Sequence, residues 1–288
     1  DGAIGTKGGG GRVNLRRILS LAKDEVEQRA FSLRMLIMAP LLTLFILGAC
    51  WGISDPDASL PSSISADTPF EVLFVASLFI LLSATLGVVL FGFDGISRSR
   101  MSGNLAIELA QPIARRELAW SMLLGTWAVV AIPTLVLSIA GIILIRIQMG
   151  EWASFADISL FLFSTTMLLF WYAVIQMYAS SLAKDMGSSI ALGVAAWLLF
   201  TMVWLLVTVM VASILGVESS NTTDPLYKTF SAKVDLFSPN GVYHLLLETR
   251  LAEDLSRPIS PLLVVLATAL WTLLPLVAYL KRFEKLQP

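Results

Sequence analysis

Residues able to do bond chemistry are scarce in this chain of 288 residues. There is one histidine, His244, and one cysteine, Cys50. A zinc site takes three or four Cys, His or carboxylate ligands, so a lone imidazole cannot build one. A serine nucleophile would need an adjacent base, and the only imidazole lies in a long loop, where a solvated histidine is expected. No Gly-x-x-x-x-Gly-Lys-Ser/Thr segment occurs to cradle ATP phosphates, and no His-Glu-x-x-His. Cys50 sits in an apolar run, and as the lone cysteine it has no partner within the chain for a disulfide. The sequence therefore predicts a chain that is not an enzyme, with no catalytic residue, no metal ligand and no cofactor of its own.

The elements that carry so little chemistry are built for another medium. Hydrophobic residues make up 56% of the chain and charged ones only 14%, against about 25% in soluble domains. Six stretches lack Asp, Glu, Lys and Arg altogether: 35–54, 72–93, 118–145, 158–183, 186–217 and 258–280. Each reaches the roughly 20 residues that a helix needs to cross the hydrocarbon layer. Helices satisfy their backbone groups internally, as lipid demands, whereas barrel strands are shorter and alternate in polarity. The expected fold is an all-α integral membrane protein. Its six transmembrane helices should lie near 34–53, 70–93, 117–145, 158–182, 188–216 and 261–281, within a transmembrane domain of residues 34–283. A net charge of −1 offers no global basic field for nucleic acid.

Basic residues set orientation. With six spans, the side that holds both termini carries 15 of the 20 Lys and Arg residues, so both termini are expected to be cytoplasmic. Residues 1–11 lack the apolar core of a secretory signal and read as a flexible tail or expression remnant. Residues 12–33 place Leu15, Ile18, Leu19, Ala22, Val26 and Leu33 at helical spacing among Arg16, Arg17, Lys23 and Arg29. Such a helix should lie at the membrane surface as an interfacial elbow, with its bases toward anionic lipid. Pro133 and Pro275 predict kinks in the third and sixth spans. The outer loop 217–259 carries Leu236-Phe237 and Leu245-Leu246-Leu247 around Pro239-Asn240-Gly241, which suggests short half-buried helices resting on the outer surface. Ion-coupled carriers plant ionisable groups at mid-membrane; these spans hold none, so the energy for transport should come from another subunit.

The loop between spans 2 and 3 is the informative segment. It runs Asp94-Gly95-Ile96-Ser97-Arg98-Ser99-Arg100-Met101-Ser102-Gly103-Asn104-Leu105-Ala106-Ile107-Glu108-Leu109-Ala110-Gln111-Pro112-Ile113-Ala114-Arg115-Arg116-Glu117-Leu118. Ser102-Gly103 should open a short, partly apolar helix that Pro112 ends, a shape suited to another protein's groove. The pattern small-Gly-x-Leu-x-x-x-Leu-x-x-Pro-Ile-x-Arg-x-Glu-Leu resembles the signature of ABC-2 type transporter permeases. Ser181 to Ser189 resembles that family's tight turn between spans 4 and 5, and Val234 to Pro239 its Leu-x-Asn-Pro region. With the Asp94-Gly95-Ile96 step, the likeness points toward the copper-processing branch, the permeases of nitrous-oxide-reductase maturation transporters. It covers about residues 12–283.

The resemblance implies a prokaryotic inner-membrane permease with a cytoplasmic coupling helix, of the type V exporter kind. Two copies would be served by two separate ATP-binding subunits that hold the ATP and Mg. The implied contact with the ATP-binding subunit falls on coupling segment 98–117, at Arg98, Arg100, Gly103, Leu105, Ile107, Glu108, Gln111, Pro112, Arg115 and Arg116. Arg98 and Arg100 depart from the family, which commonly carries acids there; they also fit the simple positive-inside bias. Small residues let helices approach closely in membranes. Gly48 with Gly52, and Ala191 with Ala195, lie on the first and fifth spans, which the family brings together as a homodimer seam. Substrate-binding residues are not assigned. A copper- or sulfur-related cargo, and an extracytoplasmic partner at loop 217–259, follow only from the branch likeness. Two other classes fit the same composition: a channel or ion-coupled carrier, which would work without ATP, and an assembly scaffold, which would capture an outer partner without transport.

Overall fold

The computed structural model describes residues 14–57, 66–103, 107, 110, 113–219, 221 and 223–286. Among the described residues it is all helix, with no strand. The elements are α1 (Leu15–Ala30), α2 (Leu33–Ser54), α3 (Pro69–Gly92), α4 (Ser97–Met101), α5 (Arg115–Met149), α6 (Phe155–Leu182), α7 (Met186–Leu198), a π-helical turn (Leu199–Val203), α8 (Trp204–Ile214), α9 (Pro225–Asp235), α10 (Pro239–Glu248) and α11 (Pro261–Glu284). Six helical stretches are long and apolar enough to cross a membrane: α2, α3 running on to Met101, α5, α6, α7 through α8, and α11.

Local chemistry sets the helix starts. Ser32 and Thr68 accept from the amides of Met35 and Glu71, and Ser154 with Asp157 forms a reciprocal capping box, as does Asp185 with Ser188. Pro69, Pro225, Pro239 and Pro261 occupy first helical turns, where a missing N–H costs nothing. Gly150, at φ +77°, ends α5 in the left-handed conformation that glycine adopts without strain. α2, α5 and α11 run unbroken through Pro40, Pro133 and Pro275. A local departure from α geometry also occurs in the fifth span, at the π turn, with no proline to announce it.

The second span is the most enclosed. It touches the first, third, fourth and fifth spans, while the fourth also packs on the sixth. Trp171 and Tyr172 on α6 are fully buried packing residues, and the Trp171 indole donates to Thr272 (2.9 Å). The fifth and sixth spans keep most of their surface open, with Leu205, Leu206, Met210, Leu262 and Leu274 among the exposed apolar residues. The start of α1, α4, the turn between α6 and α7 and the end of α11 occupy one end of the bundle, here the termini face; α9 and α10 enter from the far face.

Of the two far-face helices α9 is half-buried, as expected, but α10 does not rest on the surface. α10 is buried along nearly its whole length. The Trp204 indole donates to Asp235 (3.0 Å), the Trp271 indole to the Leu236 carbonyl (3.1 Å), and the Asn240 amide to the Phe200 carbonyl (2.9 Å). Trp271 lies ten residues into α11, about 15 Å down at 1.5 Å per residue. The α9–α10 hairpin is therefore inserted among the spans to about half their depth. Its burial also corrects the expectation for His244: the ring lies between Phe74 and Tyr243 (centroids 5.9 and 5.5 Å), and its Nε2 has no hydrogen-bond partner.

Candidate functional site: the junction at the termini face

The start of the sequence motif, residues 94–98, folds into a junction where four helices meet. The Phe93 carbonyl, at the end of α3, accepts hydroxyls from Ser97 (2.8 Å), Ser180 (3.1 Å) and Ser189 (2.5 Å). Ser180 Oγ in turn accepts the amides of Ile96 (3.2 Å) and Ser97 (3.1 Å). One carbonyl and three serines thus join the root of α4 to the end of α6 and the start of α7. These serines are fully buried, so the bonds are made where an unpaired polar group would cost about 1–3 kcal/mol.

Close approach makes the junction stiff. The fully buried Gln176 side chain of α6 fills the gap between α3 and α7, and a Cβ on Gly92 would meet its Cγ at 2.7 Å. A Cβ on Gly193 would collide with the Gln176 amide. Neither amide atom of Gln176 has a hydrogen-bond partner. Asp94, buried, takes Arg34 of α2 (2.8 Å) and Arg98 of α4 (3.4 Å), and the Arg34 guanidinium lies over the Phe93 ring (4.7 Å).

The elbow helix is tied to the same junction. Arg29 donates to the Phe91 carbonyl (3.0 Å) and to Thr126 (3.0 Å), and pairs with Glu25 (2.8 Å). The buried Glu117 accepts the Asn14 amide (2.6 Å) and pairs with Arg17 (3.7 Å). Gly125 leaves room for α1 on α5; a Cβ there would stand 2.6 Å from that of Glu25.

The residues singled out for docking separate into two groups. Arg98 is largely exposed beside Asp94, and Met101 and Ile107 are exposed apolar side chains. Arg100 is turned into the bundle instead, donating to the carbonyls of Ala183 (2.7 Å) and Ser181 (3.4 Å). Arg115 donates to the carbonyls of Glu284 (2.7 Å) and Leu286 (3.0 Å), and Arg116 pairs with Glu284, so both clasp the end of α11. Ser102 and Gly103, at φ +75°, close α4, and beyond them the described residues Ile107 and Ala110 are helical. Leu105, Glu108, Gln111 and Pro112 lie outside the described residues. Asp94, Ser180, Ser189 and Arg34 were absent from the expected contact set; the signal for Asp94 was an acid closing an uncharged span.

The far face holds the other polar concentration. Arg257 pairs with Asp235 (2.6 Å) and Glu248 (2.7 Å), all three largely buried. Asn240 bonds to the Phe200 carbonyl, which lies in the π turn, and accepts the Tyr172 hydroxyl (2.8 Å). Asp235, Asn240 and Arg257 border a cavity of about 510 Å³ that Phe200, Trp204 and Tyr227 also line. Ionisable groups therefore do enter the bundle, from the hairpin rather than from a span.

No curated protein matches the chain. One family model does, described as ABC-2 family transporter protein, and it lends no support to the copper-processing branch. It matches residues 19–286, from the elbow helix through the end of α11, and with six membrane-spanning helices around this junction the chain belongs to the ABC-2 family of transporter proteins.

Proposed function

We propose that the chain is the permease subunit of an ATP-binding cassette transporter. Two copies would form the substrate path, and two ATP-binding subunits would drive it from the cytoplasm. The observation that carries this reading is the junction at Phe93 and Asp94. A push on α4 has a short, hydrogen-bonded route to spans 2, 4 and 5, so docking of a partner at segment 98–117 would tilt spans as packed bodies. The bias of Lys and Arg toward the termini face supports cytoplasmic termini in a prokaryotic inner membrane. The chain itself would do no bond chemistry. ATP and Mg would be held by the partner, and the cargo is left unassigned.

The test is the double substitution Leu105→Asp with Ile107→Asp, in the native complex. ATP-binding subunit should be lost from the purified complex, or its ATPase should no longer respond to the permease, while membrane insertion is retained. Assembly and ATP-driven transport at wild-type levels would remove the docking assignment.

The seam between copies is proposed at Gly48 and Gly52 of α2 and Ala191 and Ala195 of α7, all four exposed in the single chain. A Cβ on Gly52 would meet nothing within 4 Å, and one on Gly48 only Leu44, at 3.9 Å. Gly48→Leu with Gly52→Leu should leave the fold's thermal midpoint unchanged and shift the detergent-solubilised protein from dimer toward monomer, as read by light scattering. A dimer of undiminished stability would place the seam elsewhere.

The ion-coupled alternative gains Asp235, Glu248 and Arg257 as buried charges. They are spent on one another, however, so none of the three stands alone to take a driving proton.

A further inference from the structure

At the termini face a cavity of about 520 Å³ opens between α1, the first turn of α2 and the α3–α4 joint. Its charged lining is Glu25, Arg29, Arg34, Asp94 and Arg98, three cations against two anions. Arg29 is satisfied by Glu25, Phe91 and Thr126. Arg34 and Arg98 share the single carboxylate of Asp94, and Arg34 adds only the Leu90 carbonyl, at 3.4 Å. A guanidinium carries five N–H donors, and one carboxylate with one carbonyl cannot fill two such forks. Leu33 lies at the rim, and from it an exposed apolar stripe runs down α2 through Ile37 and Leu44. The cavity thus joins an under-filled pair of arginines to the outward face of a membrane-spanning helix. An ionic head and an apolar tail in one molecule would match both parts.

We infer that this cavity is a binding site for the phosphodiester headgroup of an anionic phospholipid, held by Arg34 and Arg98, with an acyl chain along Leu33, Ile37 and Leu44. A phosphate is the group that arginine forks hold best. Free phosphate would use the arginines and leave the stripe idle; a zwitterionic lipid would use the stripe but bring its own cation to compete for Asp94. Arg34 belongs to the first span and Arg98 to α4, so the lipid would bridge the elbow region to the segment that moves. Asp94 is its competitor, since every bond from these arginines to the carboxylate is one withheld from the phosphate.

The test is the affinity of the purified full-length chain, in phosphatidylcholine nanodiscs, for spin-labelled phosphatidylglycerol and for spin-labelled phosphatidylcholine. The immobilised fraction is followed against label concentration. Phosphatidylglycerol should bind at least tenfold more tightly than phosphatidylcholine. Arg98→Gln, at an exposed position that should not disturb folding, should weaken phosphatidylglycerol about tenfold, and Arg34→Gln should do the same. Asp94→Asn should tighten it severalfold by releasing both arginines, an opposite sign that general loss of surface charge would not produce. Equal binding of the two lipids would overturn the inference, and so would weakening by Asp94→Asn. Displacement of the label by millimolar inorganic phosphate, without regard to the acyl chain, would reassign the site to free phosphate and equally overturn it.

Discussion

Arg257→Leu is expected to lower the thermal midpoint of the detergent-solubilised protein further than any other single substitution of a charged residue. Arg257 is the common partner of Asp235, at the foot of α9, and Glu248, at the end of α10. Removing it leaves two largely buried carboxylates facing each other, and removing one member of a buried ion pair costs about 3–5 kcal/mol. On the usual scale for domains of 150–250 residues, where each kcal/mol moves the midpoint by about 2–4 °C, the fall should exceed roughly 6 °C. The charge account makes a second demand. Asp235→Asn and Glu248→Gln, added to Arg257→Leu, should recover most of the loss. Both amides are neutral, and the shorter one keeps an oxygen at position 235 that can still accept from Trp204. A triple variant as unstable as the single one would mean that Arg257 acts through packing and not through its charge.

Gly241→Ala should be nearly as damaging, for a steric reason. A Cβ at Gly241 would overlap the Asp235 carbonyl oxygen and stand 2.5 Å from its Cβ and 2.7 Å from its Cα. Backbone cannot swing aside as a side-chain tip can. The α9–α10 hairpin would have to open at its closest point, which pulls Asn240 from the Phe200 carbonyl and from Tyr172. Overpacking of this kind typically costs 1–3 kcal/mol, and the lost deep hydrogen bonds add to it, so about 3 kcal/mol is expected. The readout is proteolysis of the outer loop in sealed, right-side-out vesicles. Gly241→Ala should be cut between α9 and α10 under conditions where the wild-type hairpin is protected, and equal protection would show that the crossing can widen without penalty.

The spans were legible because lipid imposes a crude rule, roughly twenty residues without charge, that survives any detail of packing. The helix before the first span was legible for a related reason: Ile18 and Ala22, on its apolar side, are the residues that α5 buries. The hairpin was misjudged because Asp235, Glu248 and Arg257 read as surface charges one at a time; only their mutual pairing permits insertion, and sequence separation hides it. The same holds for Arg100, Arg115 and Arg116. Their types fit a docking patch, while Arg100 and Arg115 are taken up by backbone carbonyls at helix ends and Arg116 by the Glu284 carboxylate 168 residues away, which no local side-chain pattern announces. Gln176 was invisible for the opposite reason, since a neutral amide within a span breaks no hydropathy rule. The π turn gave no signal either, because its carbonyl is answered by Asn240 from forty residues away.

That turn alters what the fifth span can do with its surface. A widened turn admits one extra residue, and each residue advances a helix by about 100°. The stripe of small side chains at Ala191 and Ala195 is thereby steered out of line before it reaches Trp204. One continuous rod then behaves as two faces set at different azimuths: the lower half keeps its small side chains on the open surface, and the upper half is turned to clasp its own chain's hairpin. A straight helix would have to choose one of those allegiances along its full length.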